Sequence, residues 1–252
     1  MIKNIIASFL LVFFFTNGFS QKASKDIFET KNGTITIQPV LHSSLIITYN
    51  NTTIYVDPYG GIEKYKDYKN PDIVLITDIH GDHLDLKTLD SINTSTSEII
   101  TASSVLKLLP STYKSKTTVL KNGQGIHRSD IFIKAIAMYN LPEEKDSKHP
   151  KGRGNGYILT IDDTQIYISG DTEDTAEMRS LQNIDIAFVC MNLPYTMDIN
   201  QAADAVLAFQ PKVVYPFHYR GQNGFSDVEE FKNLVNSKNN QIDVRLKNWY
   251  PN

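Results

Sequence analysis

The chain has 252 residues, enough for one large domain or at most two small ones, and its 41% hydrophobic and 21% charged content excludes a disordered, collagen-like or coiled-coil protein. A formal net charge of −3 argues against affinity built on phosphate backbones, so a nucleic-acid partner is not expected. A single cysteine, Cys190, excludes an internal disulfide and any multi-thiolate cluster, which leaves imidazole and carboxylate to hold a transition metal.

At the N-terminus a short basic start, Met1-Ile2-Lys3-Asn4, leads into an apolar run over 5–15 and then small and polar residues over 16–21. Residues 1–20 read as a secretory signal, with an uncleaved anchor as the alternative. The run is short of the roughly 20 residues a membrane span needs, so no transmembrane span is expected in the mature chain. Export to the periplasm or medium is expected, with one domain over 25–252.

From there β-branched runs at 34–37, 44–49 and 53–56 predict strands, the last two joined by the turn-forming Asn50-Asn51. The continuous apolar run Ile73-Val74-Leu75-Ile76 suits a strand buried on both faces. Segments 84–92 and 103–109 predict short helices. Strand signals follow at 117–121, then an Asn122-Gly123 turn, then 131–138. A hairpin is expected at 157–169 around Asp162-Asp163, a buried strand at 184–189, a helix at 200–209, a strand at 213–216 and a helix at 228–235. Helices fall between groups of strands rather than in strict alternation, which favours stacked sheets with helices outside.

Directly after the buried strand comes Thr77-Asp78-Ile79-His80-Gly81-Asp82-His83-Leu84-Asp85. Two imidazoles and several carboxylates in one short loop supply the donors a borderline divalent ion takes. Two ordinary surface histidines are the plain alternative. The chain has only six His, and two of them stand three positions apart beside aspartates, which favours the metal.

This stretch resembles the His-x-His-x-Asp-His signature of the metallo-β-lactamase superfamily. Tyr55-Val56-Asp57-Pro58 before it, and Ser169-Gly170-Asp171-Thr172 and Pro216-Phe217-His218-Tyr219 after it, resemble further motifs of that superfamily in the same order. The form is most similar to its lactonase-like and general metal-dependent hydrolase branch. The resemblance implies an α/β fold, a four-layer αββα sandwich, holding two zinc ions. Asp78, His80 and His149 are then expected at one ion, and Asp82, His83 and His218 at the other, with Asp171 bridging. It also implies hydrolysis by a metal-bound hydroxide of an ester, lactone, amide or phosphodiester in a small-molecule substrate, with Asp82 orienting the hydroxide or taking its proton.

The signature's first His is replaced by Asp78. Asp78 is read either as a ligand, which would open the first site to manganese or another hard ion, or as an outer carboxylate that orients a neighbour. His149, in a charged Gly-rich loop, takes the place of the middle His by resemblance, solvent exposure being the alternative; His127 is left as a surface residue. His42 and Asn140 are expected to bind substrate, with a strand-edge histidine and a turn asparagine as the plain alternatives. Cys190 reads as a small buried hydrophobe, a thiolate ligand being the minor alternative. A non-catalytic metal-binding or ligand-sensing protein is the alternative function. A secreted nuclease gains support only if Lys148, Lys151 and Arg153 face the metals together.

Overall fold

The computed structural model describes residues 23–251; the expected signal at 1–20 lies outside them. The first half of the chain forms β1 (Asp26–Glu29), β2 (Thr34–Leu41), β3 (Ser44–Tyr49), β4 (Thr52–Val56), β5 (Ile73–Leu75), β6 (Glu98–Thr101) and β7 (Thr117–Val119). They lie in chain order in one seven-stranded sheet. The β1–β4 part is an antiparallel meander, and β4 to β7 run parallel. Parallel neighbours need crossovers, and these carry α1 (Leu86–Ser91), α2 (Ser103–Leu108) and α3 (Ser111–Lys114).

The second half begins with β8 (Gly125–Arg128), β9 (Ile131–Met138), β10 (Gly154–Ile161) and β11 (Thr164–Ile168), followed by α4 (Ala176–Arg179) and β12 (Ile186–Cys190). It continues with α5 (Ile199–Phe209), β13 (Val213–Phe217), the small hairpin β14 (Arg220–Gly221) and β15 (Gly224–Phe225), α6 (Val228–Lys238) and β16 (Asp243–Val244). Its seven-stranded sheet has the order β16-β13-β12-β11-β10-β9-β8, antiparallel from β8 to β11 and parallel from β11 to β16.

Alternation along the strands explains the layering. In β3, Leu45 and Ile47 enter the core between the sheets with Ile133, Tyr157 and Leu159, whereas Ile46 points the other way. There it joins Tyr55, Val74, Ile99 and Val105 under the helices of the first half. On the far side α5 and α6 cover the second sheet with Ala202, Val206 and Phe231. The result is the expected αββα arrangement.

Six strands were not expected from the sequence, among them the two-residue β14, β15 and β16. β1, β6 and β8 have four residues each and carry charged or glycine residues, so no local periodicity marks them; pairing in the sheet defines them. The Asn122-Gly123 turn closes no hairpin. It carries the chain from β7 in the first sheet to β8 in the second, with Asn122 Nδ2 donating to Ile136 O, Gly154 O and Asn155 Oδ1.

Candidate metal centre

The strands deliver their polar residues to one edge of the two sheets. The loop after β5 carries Asp78 to His83 and is stopped by Asp85, whose carboxylate caps α1 by accepting from Lys87 N and Thr88 N. His149 precedes β10, Asp171 follows β11, His218 follows β13 and His42 lies in the β2–β3 turn. Asp57, His42 and His218 hold φ of 43°, 62° and 46°, left-handed backbone that non-glycine residues adopt at a cost and that clusters at functional sites.

His83 is buried and fixed from behind. Its Nδ1 lies 2.8 Å from Asp57 Oδ2 and 2.9 Å from Thr77 Oγ1, and Thr77 N and Oγ1 both donate to the same Asp57 carboxylate. Its Nε2 therefore faces inward, 3.4 Å from Asp171 Oδ2 and 3.2 Å from His218 Nε2. His218 Nε2 lies 3.3 Å from Asp171 Oδ1 and 3.4 Å from Asp82 Oδ2. His149 is held through N and Nδ1 by Asn140 Oδ1, which aims Nε2 at Asp171 Oδ2, 3.1 Å away. His80 Nδ1 sits 2.7 Å from Asp78 Oδ2, and His149 Nε2 is 3.9 Å from that oxygen.

Donor atoms thus converge in three sets: Asp78 with His80 and His149, His83 with Asp171 and His218, and His42 with Asp82 and His218. These residues fit divalent ions. His149 Nε2 and Asp171 Oδ1 are buried without a hydrogen-bond partner, and two imidazole Nε2 atoms point at each other. Buried polar groups are rarely left so. A cation among them satisfies these atoms together.

Charge is concentrated here. Burial works against the charged form of His83, but the Asp171 and Asp57 carboxylates outweigh it and hold its pKa well above the ordinary value. Burial likewise opposes ionisation of Asp171, and the His218 and His83 rings outweigh it, keeping that carboxyl well below its usual range. Asp78 is brought down to about 2, burial being overcome by the His80 hydrogen bond and the charges of His83 and Arg153. Burial pushes His42 down to about 4.

Several expected residues have other geometry than a simple ligand or substrate contact. Asn140 Nδ2 donates to Glu173 Oε1 and Tyr195 O while its Oδ1 serves His149, so its amide is committed to the protein rather than to a substrate. His42 is committed likewise: Nδ1 lies 2.7 Å from Tyr250 Oη and Nε2 3.1 Å from Asp82 Oδ2. Cys190 is fully buried, and burial raises its thiol to about 11. His127 is exposed against Phe132. Lys151 turns to Glu143 and Glu177, and Arg153 to Asp78, so the three basic residues form no common strip. Asp57, Thr77 and Tyr250 received no role from the sequence, and Arg153 only a conditional one, as part of a basic strip. Asp57 stood inside a quoted motif, but nothing local showed which ring it would hold.

A cavity of about 280 Å³ opens over the cluster, lined by His80, Asp82, Lys148, His149, Asp171, Asn192 and Tyr195. A larger cavity, about 610 Å³, lies elsewhere, around Lys134, Ile158 and Leu181, and contains none of the clustered residues.

Two stacked sheets with imidazoles and carboxylates at one edge define a metallo-β-lactamase-type protein of the metal-dependent hydrolase class. The chain belongs to the beta-lactamase superfamily domain family, whose model matches residues 36–218. It is 31% identical over 196 residues to a UPF0173 metal-dependent hydrolase from Pyrococcus horikoshii, covering 73% of this chain and 85% of that one. A crystal structure described as a metal-dependent hydrolase from Parabacteroides distasonis superposes with a TM-score of 0.80 at 42% identity, over 90% of this chain and 99% of that one. Igni18, a metallo hydrolase from the archaeon Ignicoccus hospitalis, gives 0.70 at 25% identity, over 84% and 94%. Among the described residues no helix is long and apolar enough to cross a membrane.

Proposed function

We propose that this chain is an exported hydrolase of small molecules, cleaving an ester, lactone, amide or phosphodiester bond with two divalent ions. The supporting observation is the convergence of His83, His149 and His218 ring nitrogens on the Asp171 carboxylate, with His149 Nε2 and Asp171 Oδ1 buried without a hydrogen-bond partner and the Nε2 atoms of His83 and His218 facing each other. Asp78, His80 and His149 would hold one ion, His83 and His218 the other with Asp82 beside them, and Asp171 would face both. Zinc suits this donor set, with manganese or another hard ion open at the first site. Ions held there would supply a water of lowered pKa, around 7 in place of 15.7, and would polarise the bond to be cleaved.

The chain's own residues supply the rest. Asp82 lines the cavity with its side chain 33% exposed; His42 and His218 face its Oδ2, and Oδ1, 3.9 Å from His83 Nε2, is the oxygen placed to orient the attacking water or accept its proton. His42 is itself held by Tyr250, so the base is oriented by two successive contacts. Lys148 brings a cation to the cavity wall, and Asn192 and Tyr195 bring polar groups, which favours substrates with an anionic or carbonyl end. The test is elemental analysis of protein purified without added metal, then turnover on esters, lactones, amides and phosphodiesters. About two ions per chain with turnover supports this reading. Bound metal without turnover points to the ligand-sensing alternative, and absence of metal overturns both. Export is checked by the N-terminus of the mature protein, expected near Gln21.

A further inference from the structure

Asp78, which stands where the superfamily signature has a histidine, is not a free carboxylate. Arg153 grips it with both arms of its guanidinium, Nε 3.1 Å from Oδ1 and a terminal nitrogen 2.9 Å from Oδ2. The Asp78 side chain is fully buried and that of Arg153 is 17% exposed. A fork of this kind is the strong, directional form of the Arg–carboxylate contact. Of the two oxygens, Oδ2 faces His80 Nδ1 and His149 Nε2, whereas the contact of Oδ1 is with Arg153 Nε.

We propose that Arg153 is a positioning residue that turns Asp78 into a one-oxygen, charge-compensated donor, the pair doing the work of the neutral imidazole it replaces. The inference rests on the metal-centre reading above. Alone, the Asp78 carboxylate would add a full negative charge beside Asp82 and Asp171. With Arg153 against it, the Asp78–Arg153 pair is net neutral, as an imidazole is. Only Oδ2 is presented to the site, so chelation of a large, hard ion through both oxygens is withheld. The local chain is built for this. His149 directly precedes the turn that ends in Arg153, closed by Arg153 N donating to Pro150 O, and Ser104 Oγ donates to Arg153 O from α2. One segment therefore delivers both a metal donor and the charge that tempers its neighbour.

The test measures metal selectivity, not activity. Wild type, Arg153→Met, Asp78→His and the double variant are dialysed against mixtures of zinc and manganese, and bound metals are counted by elemental analysis. In Arg153→Met, Asp78 regains its full charge and second oxygen, and the manganese-to-zinc ratio should rise about tenfold or more, the scale on which outer partners act at metal sites. In the Asp78→His background, removing Arg153 should leave the ratio unchanged, because there is no carboxylate to temper. A general loss of structure lowers both metals and leaves their ratio alone. An unchanged ratio in Arg153→Met, or an equal rise in both backgrounds, overturns the proposal. A wild type that takes up neither metal overturns the metal-centre reading instead. Should Arg153→Met fail to fold, Arg153→Lys keeps a charge without the fork, and a ratio no higher than wild type then overturns the proposal.

Discussion

The Asp57 carboxylate and the His83 ring form a fully buried pair, Oδ2 to Nδ1 at 2.8 Å, and Thr77 closes it by donating N and Oγ1 to the same carboxylate. The pair sets which nitrogen of His83 faces the centre. A metal-binding histidine held this way keeps its orientation and gains basicity at the other nitrogen. Asp57→Ala should therefore lower metal affinity by about 10- to 100-fold while leaving every proposed ligand in place. Asp57→Asn, which can still accept through an oxygen, should lose less. Equilibrium dialysis decides it, and equal retention by both variants and wild type would show that the pair supports only the fold.

The same pair dictates a pH dependence. In the metal-free protein the Asp171 and Asp57 carboxylates hold the pKa of His83 well above its ordinary value and so favour the protonated ring. A metal takes the neutral ring, so binding must expel that proton. Affinity should then climb with pH, by about tenfold per unit, or ~1.4 kcal/mol, while one proton is displaced. Titration in weak buffer should register the released proton directly. A flat affinity between about pH 6 and 8 would count against His83 as a ligand.

Much of this architecture is legible in the chain. β-branched runs such as β3 and the continuous run of β5 announce themselves, and the spacing of Asp78, His80, Asp82 and His83 marks a metal loop. Contacts made across the fold are not legible. Asp57 meets His83 from 26 residues away, Arg153 meets Asp78 from 75 away and Tyr250 meets His42 from 208 away. No local pattern encodes such pairs, because strand order and crossover geometry bring them together. For the same reason Asn140 could be seen as a polar residue at a strand end, but not as the clamp on His149.

Trp249 lies fully buried near the C-terminus, edge-on to Phe188 and Phe217, and its backbone carbonyl accepts from His42 N. Trp249→Ala should cost about 3–5 kcal/mol by chemical denaturation, since a large buried ring is removed from a packed core. Trp249→Phe should cost less, because Trp249 Nε1 is buried without a partner and the substitution removes that unsatisfied donor. A Phe variant as unstable as the Ala variant would show that this donor does have a partner.

Gly154 tests how the two halves of the centre are joined. A Cβ at this position would stand 2.6 Å from Thr77 O and 2.7 Å from Met138 Cε. The methionine can swing aside, but the Thr77 carbonyl is backbone and accepts from Asn155 N at 2.9 Å. The start of β10 therefore has to retreat from the metal loop, carrying Arg153 away from Asp78. Gly154→Ala should cost about 1–3 kcal/mol, the range for overpacking. It should deplete the site of Asp78, His80 and His149 while sparing that of His83 and His218, whose residues sit on other segments. Gly152→Ala is the control. Its Cβ meets nothing within 4 Å, but φ is +83°, so the variant pays about 1–2 kcal/mol of left-handed backbone strain without pushing β10. Metal content should fall toward one ion per chain in Gly154→Ala and stay at two in Gly152→Ala. Equal metal content in both variants would show that the seat of Arg153 does not depend on the close approach of β10 to Thr77.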